Sequence, residues 1–154
     1  MKILISTCLK GIPCRYDGKS KDAKIIEKYP GIDFVCVCPE VMGGLSTPRN
    51  SSERSGDKVF DNQGNDVTKE FIDGANKALS IAVDNDCKVA LLKAKSPSCG
   101  NGSIYDGTFS GQLIAGDGIF SSLLKENDIN VFTEADLDDF EAYLQANDMH
   151  LRRT

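Results

Sequence analysis

Val89-Ala90-Leu91-Leu92, followed at once by Lys93-Ala94-Lys95-Ser96-Pro97-Ser98-Cys99-Gly100, sets the fold class. The first four residues are apolar without alternation, the pattern of a strand buried on both faces inside a parallel sheet. A Ser- and Pro-rich turn then ends on a cysteine. The same arrangement recurs outward from this point. Ile3 to Ser6 runs into Thr7-Cys8-Leu9, and Phe34 to Val37 runs into Cys38-Pro39-Glu40. Asn130 to Phe132 reads as a fourth such strand.

Helical patterns lie between these runs. From Thr68 to Asp86, the residues Phe71, Ile72, Ala75, Leu79, Ala82 and Val83 recur at steps of three and four. Ile119 to Glu126 gives a shorter helix. Glu134 to Asn147 gives another, with Thr133 as its expected N-cap and acids in its first turn. A weaker helix is expected around Lys21 to Lys28, stopped by Pro30-Gly31. Strands alternating with helices predict a Rossmann-like α/β fold, a three-layer sandwich around a mainly parallel sheet. At 154 residues the chain is expected to form a single α/β domain over 1–154. The segment from Gly43 to Val67 breaks the rhythm, and a small hairpin turning at Gly64 is expected over Val59 to Val67.

Composition narrows the function. The net charge is -5 and there is no basic run, which argues against a nucleic-acid groove. No apolar stretch approaches the roughly 18 residues of a membrane helix. The Met1–Ser6 stretch is too short for a signal-peptide core, so a cytoplasmic location is expected. The six cysteines then sit in a reducing compartment, where disulfides are rare. Paired Cys-x-x-Cys knuckles are missing, so a zinc ribbon does not fit. The one histidine, His150, lies near the C-terminus, which leaves Ser-His or Cys-His hydrolysis without a base.

Ligands of open parallel sheets bind beyond the carboxyl ends of the strands. Three strands deliver a cysteine there: Cys8, Cys38 and Cys99. Three thiolates from three loops suit an iron–sulfur cluster, because iron–sulfur clusters select soft ligands. Three ligands on a four-iron cube leave one iron open to substrate. Equally, a cysteine at a strand end is often a small buried apolar residue. Cys36 within a strand and Cys87 at a helix end read as packing residues, while Cys14 shares the first loop. Gly11, Gly43, Gly44, Gly100 and Gly102 are expected to let backbone amides approach a bound anion or sulfide. Glu40, set by Pro39, can serve as base or acid, or can be a helix-start carboxylate. Ser96 can hold a water or a substrate oxygen, or can form the turn. Arg15, Asp17, Arg49 and Lys95 either bind a polar ring or face water, and Asp106 and Asp117 read as turn formers.

These loops carry a resemblance. Ser6-Thr7-Cys8-Leu9-Lys10-Gly11 with Cys14-Arg15-Tyr16-Asp17-Gly18, Cys38-Pro39-Glu40 with Gly43-Gly44-Leu45 and Pro48-Arg49, and Lys93 to Gly100 followed by Tyr105-Asp106-Gly107 together resemble a widespread bacterial family of domains of unknown function. Its characterised members include thiouracil desulfidase. Lys10 stands where leucine is more usual, outside the ligand set. The resemblance spans nearly the whole chain. It implies a 4Fe–4S cluster on Cys8, Cys38 and Cys99, with one iron not bound by protein. It implies Glu40 and Ser96 as the catalytic pair, and hydrolysis of a thiolated pyrimidine such as 2-thiouracil to the carbonyl form with release of sulfide. An iron–sulfur sulfur carrier or a non-catalytic nucleobase-binding module are the alternatives.

Overall fold

The structure, a computed structural model, describes residues 2–10 and 27–147. Strands β1 (Lys2–Ser6), β2 (Asp33–Val37), β5 (Val89–Leu92) and β8 (Asn130–Thr133) form a parallel sheet in the order β2-β1-β5-β8. Register aligns their carboxyl ends: Ser6 lies beside Val37, and Leu92 beside Thr133. The alternation of side chains splits the strands between two cores. Leu4, Val37, Ala90, Leu92 and Val131 pack on one face beneath helices α2 (Thr68–Asp84) and α3 (Ile119–Glu126). Ile3, Ile5, Val89 and Leu91 pack on the other beneath α4 (Leu137–Ala146) and Tyr29. Ile3, Leu4 and Ile5 are fully buried, each contributing about 1.5–3 kcal/mol. Burial on both faces is why these runs show no polar alternation, and the sheet is the one the sequence predicts.

The short helix α1 (Pro39–Met42) follows β2 with Pro39 in its first turn, where a missing N–H costs nothing. It packs against α2 with almost no separation. A Cβ at Gly74 would collide with the Pro39 carbonyl oxygen, and one at Gly43 would collide with the Glu70 carbonyl oxygen. The glycine at 43 therefore serves helix packing, rather than the anion approach expected of it. Gly44 adopts φ +100, in the turn that follows α1.

Three boundaries differ from expectation. The hairpin pairs β3 (Ser52–Ser55) with β4 (Lys58–Asp61) and turns at Gly56, while Gly64 makes a second tight turn bridged by Phe60 and Asp66. Asp61 organises that second turn by accepting the Gln63 and Asn65 amides on Oδ1, each at 2.9 Å. Helix α2 stops at Asp84, because Asn85 caps the Ile81 carbonyl and Asp86 turns left-handed at φ 54. Helix α4 starts at Leu137, with Asp136 rather than Thr133 at its N-cap. The Thr133 hydroxyl instead accepts the Ala135 amide and donates to the Asp136 carboxylate, closing a local turn that delays the helix. A second hairpin, β6 (Ser103–Tyr105) with β7 (Leu113–Ala115), has no clear sequence signal. The helix expected at 21–28 lies almost wholly outside the described residues.

Candidate active site

The carboxyl edge of the sheet opens into a cavity of about 560 Å³. Cys8, Cys38, Glu40, Ser96 and Cys99 all line it. Each is placed by a strand end. Cys8 sits in the 3-10 turn Thr7–Lys10 that continues β1, and Cys38 is the N-cap position of α1. Cys99 lies in the loop after β5, and that loop is locked to helix α3. The first amides of α3, from Ile119 and Phe120, donate to the Pro97 and Ser98 carbonyls at 2.8 and 2.9 Å. Helix-end donors left over by the α-helical pattern thereby fix the cysteine loop. Gly100 completes the turn: its amide donates to the Ser96 carbonyl at 2.8 Å, and a Cβ there would meet that oxygen at 2.7 Å. The backbone approach at Gly100 is to its own loop.

Burial pushes the Cys99 thiol up to about 12; the Ser6 hydroxyl pulls it back, while Glu40 and Cys38 push it further. A thiol in that setting becomes a thiolate only beside a compensating positive charge, such as a bound metal supplies. Among the described residues no three His, Cys, Asp or Glu side chains close round a single ion. A cube of four irons and four sulfides is wider than an ion, and its ligands stand correspondingly farther apart. The soft donor set and the shared cavity fit such a cluster.

Glu40 is largely buried, and burial raises its carboxyl above the usual range against the opposing pull of Arg49. The Arg49 Nε donates to Glu40 Oε1 at 3.3 Å. Arg49 is itself oriented by donating from Nη1 to the Ser46 carbonyl at 3.0 Å and the Thr47 hydroxyl at 3.1 Å. Arg49 thus serves the site through Glu40, a role its sequence context did not distinguish from a solvent-facing charge. The Ser96 hydroxyl accepts the Ser98 and Cys99 amides at 3.1 and 3.0 Å, so it forms the turn while its own proton stays available to donate.

Lys95 is exposed at the rim with φ 67, and Lys93 pairs with Glu134 at 3.8 Å. Asp106 accepts the Thr108 amide at 2.9 Å and Asp117 accepts the Gly102 amide at 2.8 Å, both as loop ties. Cys36 lies in β2 and Cys87 is buried in the core under α2, and neither lines the cavity. Cys14, Arg15, Asp17 and His150 lie outside the described residues. Sequence reasoning missed Glu53 of β3 and Phe109 as lining residues, and it quoted Tyr105 of β6 only within a family motif, with no role. Their hairpins carry no continuous apolar run, so the hydrophobic pattern did not place Glu53 and Phe109 at the cavity.

A doubly covered parallel sheet, with three cysteines, a buried carboxylate and a hydroxyl around one carboxyl-edge cavity, defines a Rossmann-like protein equipped for sulfur chemistry. The chain belongs to the 2-thiouracil desulfurase family, whose profile matches residues 3–136. Enzymes of this family act on a carbon–sulfur bond. The chain is 41% identical over 150 residues to the uncharacterized protein YbbK of Bacillus subtilis (strain 168), covering 89% of this chain and 98% of that protein. It is 43% identical to the solved 4Fe–4S-dependent thiouracil desulfidase TudS, with a TM-score of 0.87, covering 94% of this chain and 98% of that one.

Proposed function

We propose that this protein removes sulfur from a thiolated pyrimidine by hydrolysis, replacing C=S with C=O and releasing sulfide, with 2-thiouracil as its model substrate. The carrying observation is the meeting of Cys8, Cys38, Cys99, Glu40 and Ser96 around one cavity. In this reading Cys8, Cys38 and Cys99 hold a 4Fe–4S cluster and leave one iron without a protein ligand. When bound, the cluster supplies a Lewis-acidic iron with affinity for sulfur. The chain's own residues do the rest. Glu40, kept protonatable by burial and oriented by Arg49, takes a proton from the attacking water. Ser96 holds that water with its free proton, on a hydroxyl already fixed by two amides. The reaction is redox-neutral, so it requires no electron donor. A cytosolic setting suits it, since reducing conditions preserve the thiols, and the whole of 1–154 is taken to serve as one domain.

The test is anaerobic reconstitution with iron and sulfide, counting both, then incubation with 2-thiouracil. Catalytic release of sulfide and uracil supports the reading. A loaded protein without turnover points to a sulfur carrier, and a protein that takes up no iron overturns the cluster.

A further inference from the structure

The part of the cavity lining that comes from the β6–β7 hairpin carries an aromatic ring that the core does not use. Phe109 lines the cavity and is 39% exposed. Among the described residues the cavity lining holds two aromatics, Tyr105 and Phe109. Tyr105 lies within β6, paired opposite Leu113. Phe109 stands on the connecting turn, and its backbone sits in the left-handed region at φ 57. A bulky residue rarely adopts that conformation unless its surroundings impose it.

Here the imposing groups are carboxylates. Glu53 Oε1 accepts the Gly107 amide at 3.0 Å and the Phe109 amide at 3.2 Å. Asp106 Oδ1 accepts the intervening Thr108 amide at 2.9 Å. Gly107 and Gly111, at φ +94 and +79, supply the turns on either side. Three successive amides are thus tied down, yet the side chain they present is left facing the cavity and water. Burial rewards this arrangement only in part, since 39% of the residue stays exposed. The exposed part of the ring, held on a fixed backbone, offers a flat apolar face that a planar ligand in the cavity can cover.

We propose that Phe109 is the face against which the planar pyrimidine stacks, and that Glu53 is the positioning residue that holds it there. This rests on the nucleobase reading above, and it adds a specificity element contributed by the β6–β7 hairpin. Selection would favour flat heteroaromatic thiocarbonyl compounds over non-planar ones, because a stacked ring contributes only to ligands with a π face.

The experiment uses the reconstituted holoenzyme and two readouts, steady-state kinetics on 2-thiouracil and calorimetric binding of uracil. Phe109→Ala is expected to raise KM and weaken uracil binding by roughly 5- to 100-fold, with kcat changed far less and iron content unchanged. Phe109→Tyr is expected to keep both near the parent values. Glu53→Leu should weaken binding in the same direction as Phe109→Ala, and Glu53→Gln, whose amide oxygen can still accept, should rescue it. Turnover with a KM and a uracil affinity unmoved in Phe109→Ala overturns the stacking role while leaving the desulfidase reading intact. Phe109-dependent uracil binding without any turnover supports stacking and removes the desulfidase reading instead. Loss of iron in Phe109→Ala overturns the assignment by placing the residue in support of the cluster.

Discussion

The two walls of the cavity hold their groups by different physics. On the sheet side, Cys8 follows β1 and Cys99 lies in the loop after β5, whose four residues Val89, Ala90, Leu91 and Leu92 are all buried. On the hairpin side, β7 is exposed along its whole length and β3 is only half-buried. A set of polar ties orders that side. Arg54 donates from Nη1 to the Asp117 carbonyl at 2.7 Å, and Glu53 and Asp106 grip the 107–109 amides. Close packing resists movement, which would suit the cysteines if they share one cluster as proposed. Hydrogen-bonded turns at a surface open at lower cost, which would suit the entry and exit of the flat substrate proposed above. On the proposed function, the contrast would separate assembly of the cofactor from recognition of the base.

That separation can be broken most severely at the sulfurs. Serine at Cys8, Cys38 or Cys99 is expected to abolish cluster retention and turnover, whereas Cys36→Ser and Cys87→Ala keep the iron. Iron and acid-labile sulfide counts decide it, and equal iron in all five variants would show the wrong ligands. Next comes the chemistry without the cluster. Glu40→Gln keeps shape and the Arg49 contact but removes the base, and a loss of about 10² to 10⁴ in kcat with iron intact is expected. Full activity in a loaded Glu40→Gln enzyme would return Glu40 to a structural carboxylate.

A packing change sharpens the same comparison. Gly74→Ala drives a methyl into the Pro39 carbonyl and to 2.9 Å from the Gly43 amide nitrogen. Backbone must shift, at a cost of about 1–3 kcal/mol or more in stability. The shift moves the α1 turn that carries Glu40, so the denaturation midpoint and kcat should fall together. An unchanged midpoint would mean that α1 and α2 are not tightly apposed.

The smallest effect belongs to the hairpin side. The Asn65 amide, donating to Asp61 Oδ2 at 3.0 Å, leads the groups that hold the Asp61 carboxyl below its ordinary range. A depressed folded-state value means stability that is present above the unfolded value and lost as pH falls through the folded one. The parent should therefore exceed Asp61→Asn in stability near neutrality, and the gap should close on acidification below the carboxylate range. Thermal unfolding at several pH values measures it, and a gap independent of pH would assign the effect to packing.

Much of this protein was legible in its sequence, for a reason that lies in burial. A strand covered on both faces must be apolar throughout, so Ile3 to Ser6, Phe34 to Val37, Val89 to Leu92 and Asn130 to Phe132 announced the sheet, its parallel sense and the edge that carries the candidate site. The cysteines just past three of these strands then pointed to that edge. Tertiary structure alone decided the opposite wall. Glu53 lies 54 residues before the Gly107 amide it binds, and Arg54 lies 63 residues before Asp117. Such contacts are single polar bonds between distant segments, and they leave no periodicity in the chain. The same holds for Gly43 and Gly74, whose meaning appears only once α1 lies on α2 at backbone contact. A hydrophobic pattern records how much water a segment avoids, but not which distant carboxylate will take up an amide.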